Sequence, residues 1–191
     1  VPSIVEALKV GYQRGIVDAC RLSLEDNTNA TARVTEKAHA AGVAVEAELG
    51  AVAGHEGSGG MDYEALFTSK KGFTDVAEAK RFAEQSGCDW LSVAAGSIHG
   101  AIAEATRKQK KPQARLDIEH IAALYEATGH MPLVLHGGSV IRQEYILHAI
   151  KNGVATINVA TEIRQPYAFA LEDNPGDLES PRPNGNESTR R

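Results

Sequence analysis

The chain has 191 residues, 42% of them apolar, and its 20 Lys and Arg against 25 Asp and Glu give a formal net charge of −5. This balance is typical of one globular domain and offers no electrostatic basis for binding nucleic acid or an anionic membrane surface. Two cysteines cannot form a disulfide framework, and we see neither an apolar run of membrane-spanning length nor a signal peptide, so we expect a cytoplasmic protein.

Short apolar segments alternate along the chain with amphipathic ones. The apolar segments predict strands at residues 15–20, 43–50, 90–95, 131–135 and 155–159. The amphipathic segments predict helices at residues 4–11, 27–41, 74–86, 117–127 and 143–151. This alternation predicts an α/β fold of parallel βα units whose helices cover the sheet. Residues 172–191 are rich in Pro, Asn and Gly, so we expect a domain over residues 1–171 and a disordered tail over 172–191.

Glycine and polar residues collect where the predicted strands end. Such clusters follow four strands, at residues 46–50, 96–100, 136–139 and 158–162, and Asp18 lies near the end of the first strand. In parallel α/β barrels this end of the strands carries the active site. We therefore expect the chemistry of the protein at these positions.

Two histidines are candidate metal ligands. His99 and His136 each end a strand, and because these strands are consecutive, the imidazoles can converge on one metal ion. Either histidine alone would more often be a hydrogen-bonded loop residue, but two matching His-Gly steps favour ligands. Glu46 and Glu48 share one face of a strand, and two buried carboxylates require a cation, which is either a metal ion or Arg21.

A further carboxylate and two glycine-containing loops complete the candidate site. Glu56 lies on a glycine-rich loop, where it is a candidate proton shuttle or simply a solvated acid. Gly137, Gly138 and Ser139 follow one strand and residues 158–161 follow the next, so their N–H and hydroxyl groups point at one anion-sized space. Barrel enzymes commonly bind phosphate at their last two strands, and ordinary turn and capping chemistry is the alternative.

Four sequence blocks in register resemble the class II, zinc-dependent fructose-bisphosphate and tagatose-bisphosphate aldolases. The blocks are residues 45–50 with 54–57, 95–100, 132–139 and 157–162. The resemblance spans about residues 4–171 and implies a partial (β/α)8 TIM barrel, with five βα units that match the fourth to eighth strands. It further implies a homo-oligomer, dimeric or tetrameric, for the full-length protein.

The resemblance also implies roles for individual residues. His99 and His136 match two of the three histidine ligands of the catalytic zinc, and Asp18 and Glu48 fall at a second or alternative metal position. Glu56 matches a loop glutamate that moves protons. Eight residues match the family's segments that hold the dihydroxyacetone phosphate moiety: Gly100, Gly137, Gly138, Ser139, Asn158, Val159, Ala160 and Thr161. Beside that moiety the family often binds Na⁺ or K⁺.

The sequence departs from the family in one catalytic motif and at both ends, among other positions. It has no Asp-His-Gly, the motif that gives the family its catalytic aspartate and third zinc histidine. Three βα units are missing at the front, and the residues from Glu172 onward do not resemble the helix that closes the barrel, so both ends look cut or altered.

The implied activity is reversible aldol cleavage of fructose- or tagatose-1,6-bisphosphate to dihydroxyacetone phosphate and glyceraldehyde 3-phosphate, as in glycolysis. Without the catalytic aspartate we expect little or no turnover from the chain as written. The alternatives are a non-catalytic half-barrel that binds a phosphosugar or a metal, and a metal-using sugar-phosphate epimerase. No predicted strand ends in a lysine that could form a Schiff base. Because an open sheet exposes its edges, we expect self-association.

Overall fold

The computed structural model of the protein describes residues 2–50, 63–97 and 114–173. The strands in these ranges are β1 (Arg14–Val17), β2 (Ala44–Leu49), β3 (Trp90–Val93), β4 (Leu133–Leu135) and β5 (Val154–Ile157). The helices there are α1 (Pro2–Lys9), α2 (Leu24–Ala40), α3 (Tyr63–Ser69), α4 (Val76–Ser86), α5 (Ile118–Ala127), α6 (Gln143–Lys151) and α7 (Thr161–Asp173). A 3-10 turn at Gly138–Val140 follows β4.

The five strands form one parallel sheet in the order β1-β2-β3-β4-β5. Strands that are neighbours in the chain are therefore neighbours in the sheet, with helices on the connections. Strands follow one another in this way in a βα barrel. In a doubly wound sheet, by contrast, the strand order changes direction at a switch point within the sheet. The predicted α/β fold with five parallel strands is confirmed.

The two faces of the sheet differ sharply in polarity. One face packs against the helices through residues buried to 9% exposure or less: Ala47, Leu49, Leu91, Val93, Leu133 and Leu135 from the strands, with Phe82, Ile121 and Leu124 from α4 and α5. Each such large side chain contributes about 1.5–3 kcal/mol by leaving water. Since paired residues in a parallel sheet point the same way, the register puts Ile16, Glu46 and Trp90 together on the opposite face.

Side-chain caps explain where three helices begin. Ser23, Asp75 and Asp117 each accept a hydrogen bond from the backbone N–H three residues later, which satisfies a donor that the first helical turn leaves free. Asn27, where the predicted helix over residues 27–41 begins, is instead buried inside α2. Its Nδ2 donates to the carbonyl oxygen of Glu48 at 3.0 Å, so it ties α2 to the end of β2.

Other boundaries also differ from the sequence predictions. β1 begins one residue earlier than expected and ends at Val17, which leaves Asp18 just beyond its carboxyl end. The helix α3 was not predicted, and its Tyr63 hydroxyl accepts from the N–H of Arg115, in the segment before α5, at 2.7 Å. The helix α7 follows β5 and runs from Thr161 to Asp173.

Within the described ranges, no helix combines the length and apolar composition that crossing a bilayer requires.

Candidate metal and phosphate site

His136 lies between two carboxylates at the carboxyl end of the strands. Its Nε2 lies 3.0 Å from Oε1 of Glu46, and its Nδ1 lies 3.5 Å from Oε2 of Glu48. All three residues are buried, with exposures of 9% for His136, 2% for Glu46 and 5% for Glu48. Alternation along β2 places both glutamates on one face, as predicted, and β4 ends where His136 can reach them.

The three groups shift one another's pKa. The hydrogen bond with Glu46 raises the pKa of His136; burial opposes this rise, and the Glu48 carboxylate adds to it. Burial alone would raise the pKa of Glu46, but the bonds from His136 and Arg14 bring it below the usual value. Burial raises the pKa of Glu48, and the Asp18 carboxylate adds to that rise against the attraction of His136. Neighbouring hydrogen bonds and positive charge therefore offset the burial of the Glu46 carboxylate, whereas they offset the burial of the Glu48 carboxylate only in part.

The cation beside Glu46 is Arg14 and not Arg21, the residue that the sequence suggested. Nη2 of Arg14 forms an ion pair with Oε2 of Glu46, and the guanidinium carbon lies 4.7 Å from the centre of the Trp90 ring. The predicted strand at 15–20 left Arg14 outside the element. Extending the same alternation back from Ile16 by two residues would have placed Arg14 on the face that carries Glu46.

Asp18, Cys20 and Glu48 form a second cluster of donor atoms beside the first. One potential ligand atom from each lies within 4.8 Å of the others. The Cys20 thiol donates to Oδ1 of Asp18 at 3.3 Å, and burial, together with that hydrogen bond, raises the pKa of Cys20 to about 11. Cys20 is half-buried and lies beside the two predicted metal residues.

The loops that follow β4 and β5 lie against each other. The Gly138 N–H donates to the Asn158 carbonyl oxygen at 3.0 Å, and the Asn158 N–H donates to the Leu135 carbonyl oxygen at 2.9 Å. The buried Ser139 hydroxyl accepts from the backbone N–H of Glu162 at 3.4 Å, in the first turn of α7. Gly137 has φ +74°, a left-handed conformation that favours glycine. Gly137–Ser139 and residues 158–161 are thus joined by hydrogen bonds, and we call these two segments together the glycine cradle.

Comparison with known proteins decides the family. Residues 1–190 match the family model described as "Fructose-bisphosphate aldolase class-II". The chain belongs to the class II fructose-bisphosphate aldolase family. Proteins named fructose-bisphosphate aldolase from two strains of Streptococcus pneumoniae are 36% identical to it over 176 residues, which is 92% of this chain and 55% of each relative. This aldolase-family chain therefore spans about half the length of the curated relatives that it matches.

Solved structures agree with the aldolase fold. The crystal structure of the YdjI aldolase from Escherichia coli K12 has a TM-score of 0.71 and 30% identity, covering 92% of this chain and 56% of that one. The fructose-bisphosphate aldolase from Campylobacter jejuni, at 21% identity and a TM-score of 0.65, supports the fold alone; it covers 90% of this chain and 51% of that one. The five βα units form part of the barrel that class II aldolases have.

The aldolase family is generally zinc-dependent, and the residues present fit such an ion. Zinc in proteins is bound by imidazole nitrogen and carboxylate oxygen, which are the groups that His136, Glu48 and Asp18 offer. Burying the negative charge of Glu48 is unfavourable unless a cation lies nearby, and Arg14 forms its ion pair with Glu46 instead.

Three predicted site residues lie outside the described residues: Glu56, His99 and Gly100. Their roles as proton shuttle, zinc ligand and phosphate ligand stay predictions. Among the described residues, the structure brings together Asp18, Glu48 and His136 on one side and the two halves of the glycine cradle on the other.

Proposed function

We propose that this chain provides zinc-binding and phosphate-binding residues of a ketose-bisphosphate aldolase site. The reaction is reversible cleavage of fructose- or tagatose-1,6-bisphosphate to dihydroxyacetone phosphate and glyceraldehyde 3-phosphate. One observation carries the proposal: at a single sheet edge, a buried imidazole flanked by two buried carboxylates adjoins the glycine cradle. The names of the relatives support the substrate class.

The metal ligands in this proposal are His99, His136, Glu48 and Asp18. Zinc bound there would act as a Lewis acid that polarises the ketone of the substrate and stabilises negative charge on its oxygen. The carboxylates of Asp18 and Glu48 lie close enough to share one cation, which offsets the cost of burying Glu48.

The glycine cradle binds the substrate phosphate. The Gly138 and Glu162 N–H groups are bonded within the loops, so the other backbone N–H groups at the start of the 3-10 turn and of α7 supply donors for the phosphate oxygens. The partial positive charge at the start of a helix also favours an anion. Ser139 and Thr161 contribute hydroxyl groups to the phosphate site. Gly100, Asn158, Val159 and Ala160 form the rest of the phosphate-binding segments. A monovalent cation, Na⁺ or K⁺, binds beside the phosphate. Binding the phosphate here orients the ketone relative to the metal residues.

We assign proton transfer to Glu56. The catalytic aspartate, the second proton-transfer group of the family, has no match in this sequence. The family's Asp-His-Gly supplies the aspartate that removes the hydroxyl proton before the carbon–carbon bond breaks, and no Asp-His-Gly occurs in the 191 residues. We therefore propose that the chain on its own turns over little or no substrate. That same absence favours a second candidate function, a non-catalytic module that binds a phosphosugar or a metal.

Zinc stoichiometry tests the ligand assignment. After dialysis against zinc, we expect bound zinc in the wild-type chain and its loss in His136→Ala, because the imidazole is the nitrogen ligand among the described site residues. His148→Ala, which removes an exposed histidine from α6, is the matched control and should retain zinc. Equal zinc content in the wild type and His136→Ala would remove the assignment.

A chelator-controlled cleavage assay separates the two candidate functions. The missing aspartate predicts zinc binding with little or no cleavage of fructose or tagatose bisphosphate, and this result would support the non-catalytic module. Robust turnover that a chelator abolishes would establish the aldolase and contradict the argument from the missing aspartate. Conversion of a ketose phosphate without carbon–carbon cleavage would indicate an epimerase instead.

A further inference from the structure

Glu46 uses both of its carboxylate oxygens on neighbouring side chains. Oε1 lies 3.0 Å from Nε2 of His136, and Oε2 pairs with Nη2 of Arg14. Glu46 is only 2% exposed, so water does not compete for these oxygens. A carboxylate engaged on both sides has no free oxygen for a metal ion, which separates the role of Glu46 from that of Glu48.

The Glu46 contact determines which nitrogen of His136 can bind a metal. An ion-paired carboxylate only accepts hydrogen bonds, so Nε2 must carry the hydrogen in this contact. In the neutral imidazole Nδ1 then carries the lone pair, and Nδ1 is the nitrogen that lies 3.5 Å from Oε2 of Glu48. Metal-binding histidines commonly donate their other N–H to a carboxylate, which fixes the tautomer and the ring orientation.

A residue of β3, Trp90, in turn restricts the Arg14 side chain. The register places Ile16, Glu46 and Trp90 side by side on β1, β2 and β3, and the Arg14 guanidinium lies 4.7 Å from the centre of the Trp90 ring. Contact with an aromatic face restricts a side chain that is otherwise 40% exposed. Three adjacent strands therefore contribute to the orientation of one imidazole.

We propose that Glu46 and Arg14 are positioning residues for His136, with Trp90 as the support of Arg14, so that Nδ1 faces the metal position. The proposal rests on the proposed function, because it needs His136 to be a zinc ligand. It assigns Glu46 no direct contact with the metal or the substrate.

Zinc affinity and the spectrum of bound Co²⁺ test this proposal. In competition with a chelator, we expect Glu46→Gln to weaken zinc binding by about 10–100-fold, the usual cost of losing such a supporting carboxylate. Arg14→Met should weaken binding in the same direction, and Arg14→Lys, which keeps the charge without the planar fork, should restore part of it. Arg33→Met, on the exposed side of α2, is the control and should bind zinc as the wild type does.

Spectroscopy distinguishes positioning from a general loss of structure. The visible bands of bound Co²⁺ report the geometry of its ligands, and they should change in Glu46→Gln while the circular dichroism stays that of the wild type. Nitrogen-15 spectra of the zinc-loaded wild type should show Nε2 of His136 protonated and Nδ1 without a hydrogen. Should Glu46→Gln fail to fold, Arg14→Met and Arg14→Lys carry the test, since Arg14 is partly exposed.

The outcomes separate the two claims. A wild-type chain that binds zinc, with Glu46 and Arg14 variants of unchanged affinity and unchanged Co²⁺ spectrum, overturns the positioning role alone. Zinc bound through Nε2 of His136 overturns it as well. A wild-type chain that takes up no zinc overturns the proposed function, and the positioning role with it.

Discussion

Gly138 shows how closely the two loops of the glycine cradle approach. A β-carbon built on it would lie 2.6 Å from Cγ2 of Ile157 and 2.9 Å from Cγ2 of Val159, both shorter than normal carbon contacts. Only hydrogen fits in that space. The spacing of the proposed phosphate donors therefore depends on the absence of a side chain at this residue.

Replacing Gly138 by alanine should push the loops apart. We expect Gly138→Ala to lower the free energy of unfolding by about 1–3 kcal/mol, as overpacked sites do, and to weaken binding of dihydroxyacetone phosphate. Urea denaturation and calorimetric titration measure the two effects. In the control Gly15→Ala the new methyl group meets Ile4 Cδ1 at 3.8 Å, an ordinary contact, so little should change. If Gly138→Ala matches the wild type in stability and in affinity for dihydroxyacetone phosphate, the role of the glycine cradle in phosphate binding is contradicted.

The sequence predicted the positions of some candidate site residues because simple rules govern those positions. Alternation along a strand put Glu46 and Glu48 on one face, and the position of His136 at a strand end placed it near them. The partner of Glu46 could not be read in the same way, because it depends on strand register and on one residue of strand boundary. Arg14 and Arg21 are equally basic, and only the tertiary structure distinguishes them.

Secondary-structure elements followed the hydrophobic pattern, and their ends followed capping chemistry. Five strands and five helices were predicted near their observed places, because period and apolar content are local properties. The helix α3 was missed because its contacts are tertiary: it depends on the Tyr63 hydroxyl, which meets the Arg115 N–H at 2.7 Å. The predicted start of α2 at residue 27 is three residues late, because the buried polar Asn27 inside the helix looks like an exposed cap in sequence.

The start of α5 should make stability depend on pH. Asp117 accepts from the His120 N–H at 3.0 Å and pairs with Nζ of Lys70 at 2.7 Å. Burial alone would raise the pKa of Asp117, but the Lys70 ion pair and the His120 hydrogen bond bring it below the usual value. Because the folded-state pKa is lowered, this stabilisation is present above the unfolded pKa of about 4 and is lost as the pH falls through the folded-state value.

Variants at Asp117 separate the cap from the charge. Asp117→Ala should lower the free energy of unfolding at pH 7 by about 1 kcal/mol, the usual cost of a lost cap. Asp117→Asn keeps a cap and should cost less. In denaturant titrations across pH, the difference between the wild type and Asp117→Asn should shrink below about pH 4, where the carboxylate of the wild type is protonated. A difference that stays constant down to pH 2 would contradict the assigned role of the ion pair.

At the scale of the whole molecule, the described surface carries many exposed apolar side chains. Ile16, on the polar face of β1, is 47% exposed, and Tyr12 before it is 63% exposed. At the other end of the sheet, Ile163 and Phe169 of α7 are each 49% exposed. Among the described strands β1 and β5 each pair on one side alone. Exposed apolar patches and unpaired strand edges favour association.

This surface predicts that the chain self-associates as its concentration rises. Light scattering coupled to size exclusion should show mass increasing across a concentration series. Phe169→Lys should reduce that association by placing a charge in the apolar surface, whereas Lys151→Ala, an exposed change on neighbouring α6, should leave it unaltered. A sharp monomer peak at every concentration would argue against the prediction.

Anomalous diffraction at the zinc absorption edge, from crystals of the chain grown with zinc, tests the metal assignment most directly. The account predicts a strong anomalous peak in contact with the imidazole of His136 and the carboxylate of Glu48, beside the glycine cradle. Zinc located elsewhere, with an ordered His136 that keeps its contacts with Glu46 and Glu48, would contradict it.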